Sequence, residues 1–242
     1  MDFNENNTEL HIRMERQLTL PPGWEPSDNI QAKMNEDGTF ASFMGDMLAF
    51  ELTPVQKNLM EPVFATLKEF SDTFVPVSMT HLRVTLRGLA NPYTVGIRDR
   101  KLIEQHLEMN RNRVTNFFNQ LNSETDDFVI NLSDGRFSLS EQRASGAYFF
   151  QFKDSESWEA MQTLQLLCDR ADPYRKLGTD IYHPHITLCY LYPRSYSTQE
   201  SIIVRNAIAQ CHQTLSNLNL EFKKEDIRYY YHTSMNDFRV IR

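Results

Sequence analysis

The chain has 242 residues, enough for one large domain or two small ones, and its 40% hydrophobic and 24% charged residues are ordinary for a globular protein. The formal net charge of −7 disfavours a long nucleic acid as the main ligand, although a pocket with a few local cations can bind a short nucleotide. Three widely spaced cysteines form no zinc pattern, no apolar run reaches the length of a membrane span, and the acidic N-terminus is unlike a signal peptide. We therefore expect a cytoplasmic protein with reduced thiols and no membrane partner.

The first part of the chain is polar and interrupted by prolines. Residues 1–36 contain Pro21-Pro22-Gly23 and Pro26, which predicts an N-terminal extension with room for one short helix. Asp37-Gly38 then predicts a turn. Residues 37–242 are accordingly predicted to form the main domain.

Helix and strand patterns alternate in the main domain. Apolar spacing predicts helices at 55–70, 98–121, 155–170 and 197–215, and strands at 40–52, 80–88, 127–132, 136–139, 146–152, 185–192, 218–222, 226–232 and 238–241. Asp134-Gly135 predicts a hairpin, and Ser197 with Glu200 predicts a capping box. This order indicates a duplicated α+β unit with mostly antiparallel sheets. Because no glycine-rich phosphate loop is present, a doubly wound nucleotide fold is disfavoured.

Two segments in comparable places share a chemical pattern. They are His183-Pro184-His185-Ile186-Thr187-Leu188 and, upstream, His81-Leu82-Arg83-Val84-Thr85-Leu86. In a strand alternate side chains share a face, so the first, third and fifth residues of each segment are expected to line one surface. The apolar residues between them would then point into a core.

These residue types suit the cleavage of a phosphodiester that has a neighbouring hydroxyl, or of a cyclic phosphate. Such cleavage needs one proton removed from the attacking oxygen and one given to the departing oxygen. Histidine titrates near neutrality, so two histidines can share these tasks without a metal. A threonine hydroxyl can donate to a phosphate oxygen, and arginine can bind a phosphate with two donors.

His185-Ile186-Thr187-Leu188 resembles the histidine–hydrophobic–threonine–hydrophobic signature of the 2H phosphoesterases, which include RNA 2′–5′ ligase-like and cyclic phosphodiesterase-like proteins. Asp37-Gly38-Thr39, the run from Tyr182 to Leu191 and Ser234-Met235-Asn236-Asp237-Phe238 resemble an uncharacterised branch of that superfamily. The resemblance implies an internally duplicated, bilobal α+β fold, with two mostly antiparallel sheets flanking a central cleft and helices outside. It also implies that an aromatic ring stacks on a base over the cleft.

The upstream motif departs from the family pattern and leaves two registers open. Aligned on Thr85-Leu86, the position expected to be histidine is Arg83, which does not give up a proton. Aligned on His81, the position expected to be threonine or serine is Arg83 again. We favour the second register because it explains why a histidine lies on this face. A bulge would also bring His81 and Thr85 together.

The leading hypothesis is a metal-independent phosphodiesterase that acts on a 2′,3′-cyclic phosphate, a 2′–5′ linkage or a small cyclic nucleotide. Its partner would be a small nucleotide or an oligonucleotide end, with no cofactor. The predicted site comprises the acid–base pair His81 and His185, and the substrate-binding residues Arg83, Thr85, Thr187 and His183. One alternative is a catalytically degenerate protein that only binds a phosphorylated ligand. Another is an interaction domain whose cleft lacks a polar floor.

Other residues are weaker candidates. Arg87, Arg143, Tyr190 and one ring from the aromatic strands at 148–152 or 229–231 are possible additions to the site. His11, His106, His212 and His232 are interpreted as structural or solvated.

Overall fold

The computed structural model describes residues 3–8, 24–92, 100–140, 145–171, 183–215 and 217–242. The helices are α1 (3–8), α2 (Asp28–Gln31), α3 (Pro54–Asn58), α4 (Glu61–Glu69), α5 (Arg100–Glu124), α6 (Ser155–Ala171) and α7 (Thr198–Thr214), with 3₁₀ turns at Met79–His81 and Lys224–Asp226. The strands are β1 (Gly45–Glu51), β2 (Phe74–Pro76), β3 (Arg83–Gly88), β4 (Val129–Ser140), β5 (Ser145–Phe152), β6 (His185–Leu191), β7 (Leu220–Lys223), β8 (Ile227–Ser234) and β9 (Asp237–Val240).

The described strands form two sheets. One has the order β3-β1-β8-β9 and the other β2-β6-β5-β4-β7. All of their pairings are antiparallel. The predicted α+β class with two antiparallel sheets is therefore confirmed. The two motif strands belong to different sheets, and β3 and β6 approach each other where the sheets meet.

Burial along the two motif strands follows the predicted alternation. Val84, Leu86, Ile186 and Leu188 are at most 2% exposed, and they join the main hydrophobic core. The polar residues between them are half-buried. Burial of the aliphatic side chains therefore fixes which face of each strand is polar, because a shift of one residue would reverse both faces.

The predicted hairpin at Asp134-Gly135 is wrong. β4 runs through this step as one strand and pairs with β5 on both sides of it, with an irregular register between Ser133 and Arg136. Asp134 has φ of 46°, and a Cβ on Gly135 would lie 2.2 Å from the carbonyl oxygen of Phe149. The left-handed residue and the glycine thus form a bulge, which uses the same residue types as a turn.

The predicted helix at 55–70 is divided into α3 and α4. Pro62 lies at the start of α4, where its missing N–H costs nothing. The same proline lacks the N–H that a helix continuing from α3 would need at this position. α3 begins with a capping box between Thr53 and Gln56. The predicted box of Ser197 and Glu200 is confirmed at α7.

Part of the N-terminal region contributes to the core. Trp24, Ile30 and Met34 are buried in the main cluster. In α1, the side chain of Asn7 donates to the carbonyl of Phe152 at 3.0 Å. The three cysteines are buried free thiols. Of the helices in the described ranges, none is both long and apolar enough to cross a bilayer.

Candidate functional site

A small polar cavity lies where the two motif strands meet. Its volume is about 50 Å³, and it is lined by Met47, Val77, His81, Arg83, Thr85, Thr187, Tyr190 and Met235. The lining thus combines side chains from both sheets, and no carboxylate is among these eight described residues. The polar atoms that face the cavity are a cation, an imidazole and hydroxyl groups.

The strand of the first motif begins later than predicted. β3 starts at Arg83, whereas His81 ends the preceding 3₁₀ turn, in which its N–H donates to the carbonyl of Ser78 at 3.0 Å. His81 therefore does not reach the cavity by strand alternation. The turn places it there, beside Arg83 and Thr85, so the structure brings together the three polar residues of the first motif.

Arg83 is a half-buried cation held mainly by aromatic and sulphur contacts. Its guanidinium carbon lies 3.1 Å from the centre of the Phe238 ring and 5.7 Å from that of Tyr230. Nε donates to the Met47 sulphur at 3.2 Å, and Nη1 donates to the carbonyl of His81. Among the described residues it forms no ion pair. Burial lowers the pKa of Arg83 to about 9, so it stays charged at neutral pH.

The second motif presents Thr187 to the cavity and places His185 two residues before it on the same strand face. His185 Nδ1 lies 2.8 Å from the carbonyl oxygen of His183. A carbonyl only accepts, so Nδ1 carries a proton and Nε2 holds the lone pair of the neutral ring. His185 also stacks on Phe149, with ring centres 5.1 Å apart and planes 27° apart. The side chains of His183 and His185 are not part of the cavity lining.

Each motif strand has a bulge at the leucine that follows its threonine. Ala49 pairs with Thr85 but Leu48 pairs with Arg87, which leaves Leu86 extra. In the other sheet Ala147 pairs with Thr187 but Gly146 pairs with Cys189, which leaves Leu188 extra. The second bulge lets both Thr187 and Tyr190 face the cavity although they are an odd number of residues apart.

The bulges define a structural alignment of the two motifs. Thr85 corresponds to Thr187, and Arg83 then corresponds to His185. The strand starts agree, because β3 begins at Arg83 and β6 at His185. His81 therefore does not occupy the strand position that corresponds to His185. It reaches the cavity from the turn that precedes the strand.

The charges around His81 have opposing effects. Burial, followed by the charges of Arg83 and Lys57, lowers the pKa of His81 below its ordinary value of 6.5, while Asp237 opposes this shift. At neutral pH the imidazole is therefore mainly neutral and able to accept a proton.

Several residues at the site were not assigned a role from the sequence. Met235, Phe238 and Met47 contact the cavity or Arg83, and Phe149 is the aromatic residue that stacks on His185. The segment from Ser234 to Phe238 was already part of the family resemblance, which was the available signal. Phe149 lies in the aromatic strand 148–152, which the sequence indicated without identifying the ring, whereas Met47 has no comparable signal because its position depends on strand pairing.

The weaker candidates have different environments. Tyr190 lines the cavity, whereas Arg87 forms an ion pair with Asp169. Arg143 and His11 lie outside the described residues. His106 and His212 lie in α5 and α7, and His232 is buried in β8.

Comparisons with known proteins bear on the fold. No protein-family model and no curated protein matches the sequence. A solved conserved protein of unknown function from Agrobacterium tumefaciens is similar over 90% of this chain and 92% of its own, with a TM-score of 0.60 and 12% identity. Usb1 from Kluyveromyces marxianus matches 83% of this chain and 97% of its own, with a TM-score of 0.44 and 11% identity. E. coli LigT complexed with 3′-AMP matches 83% and 96%, with a TM-score of 0.45 and 13% identity. The similarity to the Agrobacterium tumefaciens protein shows a shared fold, and the two antiparallel sheets agree with the α+β architecture expected from the motif resemblance.

Proposed function

We propose that this protein is a metal-independent phosphodiesterase for a 2′,3′-cyclic phosphate, a 2′–5′ linkage or a small cyclic nucleotide. The observation that carries the proposal is the cavity between the motif strands. It contains the Arg83 guanidinium together with His81, Thr85 and Thr187, and none of the described residues that line it is a carboxylate. An anion is the ligand that best compensates a half-buried guanidinium in such a setting.

The size of the cavity favours a single phosphate group. A cavity needs about 10–15 Å³ to hold one water on this measure, so about 50 Å³ corresponds to roughly three to five waters. A phosphate has five heavy atoms, whereas a nucleoside is several times larger. The phosphate would therefore occupy the cavity while the nucleoside lies outside it, next to the Phe149 and His185 rings.

In the proposed reaction, His81 acts as base and His185 as acid. His81 removes a proton from water as the water oxygen forms a bond to phosphorus. The bond from phosphorus to one ribose oxygen breaks, and this oxygen receives the Nε2 proton of the His185 imidazolium. Nδ1 of His185 donates to the His183 carbonyl throughout, which fixes the ring orientation. Arg83, Thr85 and Thr187 would donate to the non-bridging oxygens, and His183 would bind substrate near this site.

The test is turnover of 2′,3′-cyclic nucleotides and 2′–5′ dinucleotides by the purified protein in EDTA. We expect His81→Ala and His185→Ala to reduce kcat by about 10²–10⁴-fold, the usual contribution of an acid or base. His106→Ala, which changes a histidine in α5, is the matched control and should retain activity. A bell-shaped rate profile would support two titrating groups. Normal turnover by His185→Ala would contradict the assignment.

The bulge alignment supports a second candidate function, a nucleotide-binding protein without turnover. In that alignment Arg83 takes the place of a histidine, so the first half would bind phosphate rather than transfer a proton. Calorimetry that detects nucleotide binding, with no product after prolonged incubation, would favour this function.

We further expect a cytoplasmic location, since the three cysteines are free thiols.

A further inference from the structure

A small hydrophobic cluster, separate from the main core, forms part of the cavity wall. It comprises Met47, Ala49, Tyr230 and Phe238, each at most 7% exposed, with Met235 packed against it. Met47 of β1 lies opposite Tyr230 of β8 in the first sheet. Because Met47 and Met235 line the cavity, the small cluster borders the place where the proposed ligand binds.

Three contacts fix the guanidinium of Arg83 beside this cluster. Nε donates to the Met47 sulphur at 3.2 Å, the guanidinium lies over the ring of Phe238, and Nη1 donates to the carbonyl of His81. The hydroxyl of Thr85 lies 3.9 Å from the same sulphur. Met47 therefore contacts both groups of β3 that are proposed to bind phosphate. None of the three partners of the guanidinium carries a negative charge.

Arg87, on the same strand, has a partner of the opposite kind. The carboxylate of Asp169 orders the Arg87 guanidinium and also neutralises its charge. A thioether is a weak and uncharged acceptor, so the Met47 sulphur orders the Arg83 guanidinium but leaves its charge available to an anion. A side chain that is ordered in advance also loses less conformational entropy when a ligand binds.

We propose that Met47 is a positioning residue for Arg83. Its sulphur holds Nε, so that the remaining part of the guanidinium faces the cavity and can donate to an anion there. The contact between sulphur and guanidinium is a property of the protein alone, whereas its effect on ligand affinity rests on the proposed function, which places a phosphate in this cavity.

The direct test is the exchange of the Arg83 Nε–H with water, measured by NMR in the full-length protein. Met47→Leu keeps an apolar side chain of similar volume but removes the acceptor. We expect the exchange to accelerate roughly 2–10-fold, the equivalent of one weak hydrogen bond. Met44→Leu is the matched control, since Met44 is 6% exposed, close to the 7% of Met47, and is not among the residues that line the cavity. Equal exchange in the two leucine variants would overturn the proposal.

A protein in which selenomethionine replaces methionine distinguishes the acceptor from the volume of the side chain. Selenium retains an acceptor at residue 47, so the Arg83 Nε–H should exchange as slowly as in the wild type. Rapid exchange in the selenomethionine protein would count against a role for the sulphur.

Calorimetry with inorganic phosphate tests the consequence for binding. Met47→Leu should weaken binding roughly 2–10-fold, mainly through a less favourable entropy. Met47→Glu should weaken it by roughly a further tenfold or more, because the new carboxylate would pair with Arg83 as Asp169 pairs with Arg87. Met44→Leu should bind like the wild type. Unchanged affinity in both Met47 variants would refute the positioning role. If the wild type bound no phosphate, the proposed function would fail, and the exchange of the Nε–H would still decide whether Met47 holds Arg83.

Discussion

Two arginines on one strand differ in their electrostatic partners, and this difference determines whether each one stabilises the fold or is available to bind an anion. Arg83 and Arg87 both lie in β3, and both are half-buried. Arg87 has a carboxylate partner in Asp169, whereas Arg83 faces the cavity and rests on Phe238. A half-buried cation without a carboxylate partner lowers the stability of the folded protein. An anion that binds to the cation compensates for this loss.

Arg83→Met should therefore lose anion binding without losing stability. The methionine keeps the length and the apolar contact with Phe238, and the desolvated charge disappears. We expect the affinity for inorganic phosphate or a cyclic nucleotide to fall by roughly 10–100-fold, the effect of one charged hydrogen-bond donor. The thermal midpoint should equal or exceed that of the wild type. Calorimetry and thermal unfolding measure the two quantities.

Arg87→Met is the matched control, and we expect it to lose stability but to keep its affinity for anions. Removal of this side chain takes away the ion pair with Asp169, so the thermal midpoint should fall. Anion affinity should change little. If both variants lost stability equally and bound phosphate equally, the distinction between the two arginines would be wrong.

His232 is a titratable group whose burial predicts a pH dependence of stability. It is 1% exposed, stacks on Phe43 and contacts the tilted Phe238 ring, and its Nδ1 lies 2.8 Å from the Phe43 carbonyl oxygen. Burial, followed by the nearby charge of Arg83, lowers the pKa of His232 to about 3. The unfolded chain therefore binds a proton below pH 6.5 that the folded chain does not bind.

The free energy of unfolding should consequently decrease as the pH falls from 6.5 toward 5, where the carboxylates are still largely ionised. For one such histidine the slope approaches about 1.4 kcal/mol per pH unit, and His81 adds to it with the same sign. His232→Asn keeps a donor for the Phe43 carbonyl and does not titrate, so it should have a smaller slope. Denaturant unfolding at several pH values measures this, and equal slopes would contradict the prediction.

At the scale of elements, bulges define the site, and they were the part least predictable from the sequence. Alternation predicted which residues of β3 and β6 are buried, because the apolar side chains have a period of two. It did not predict the extra residues at Leu86 and Leu188, since a bulge depends on the partner strand and leaves the period of its own strand nearly intact.

The same limit explains the other errors. Asp134-Gly135 has the chemistry of a turn, and only the pairing of β4 with β5 makes it a bulge. β2 was missed because it is three residues long and includes Pro76, which is tolerated at the edge of the sheet. His81 was expected in a strand, yet the 3₁₀ turn brings it to the same cavity. The polar residues of the site could be predicted from the sequence, but their backbone geometry could not.

The bulge in β4 supports the second half of the site through its neighbour. A Cβ on Gly135 would meet the Phe149 carbonyl at 2.2 Å and the Tyr148 ring at 2.3 Å, so β5 would have to move. We expect Gly135→Ala to cost about 1–3 kcal/mol, as overpacking does, and to disturb the stacking of Phe149 on His185.

Gly88→Ala is the control for this substitution. Among the described residues, a Cβ at Gly88, the last residue of β3, would contact only the Asn91 side chain, at 3.6 Å. This variant should fold with nearly wild-type stability. Thermal unfolding and the chemical shifts of His185 measure the two effects, and equal behaviour of the two alanine variants would show that the close approach at Gly135 is unimportant.

At the scale of the whole molecule, the net charge is negative, whereas the local charge in the cavity is positive. The chain carries a net charge of −7, whereas the described residues that line the cavity include Arg83 and no carboxylate. A single phosphate enters this local positive field, but each additional phosphate of a longer ligand meets the negative field of the protein as a whole. The molecule is thus suited to the end of a short ligand rather than to a long strand.

This balance predicts how substrate length affects turnover. In a series of oligonucleotides that end in a 2′,3′-cyclic phosphate, kcat/KM should stay level or fall as the strand lengthens. The fall should be steeper at low ionic strength, because salt screens the repulsion between the strand and the protein. A basic RNA-binding protein would show the opposite trend, with affinity that rises with length and weakens with added salt. An increase of kcat/KM with length at low salt would therefore mean that the protein has a positive surface for RNA beyond the cavity, and would refute the expectation of a short ligand.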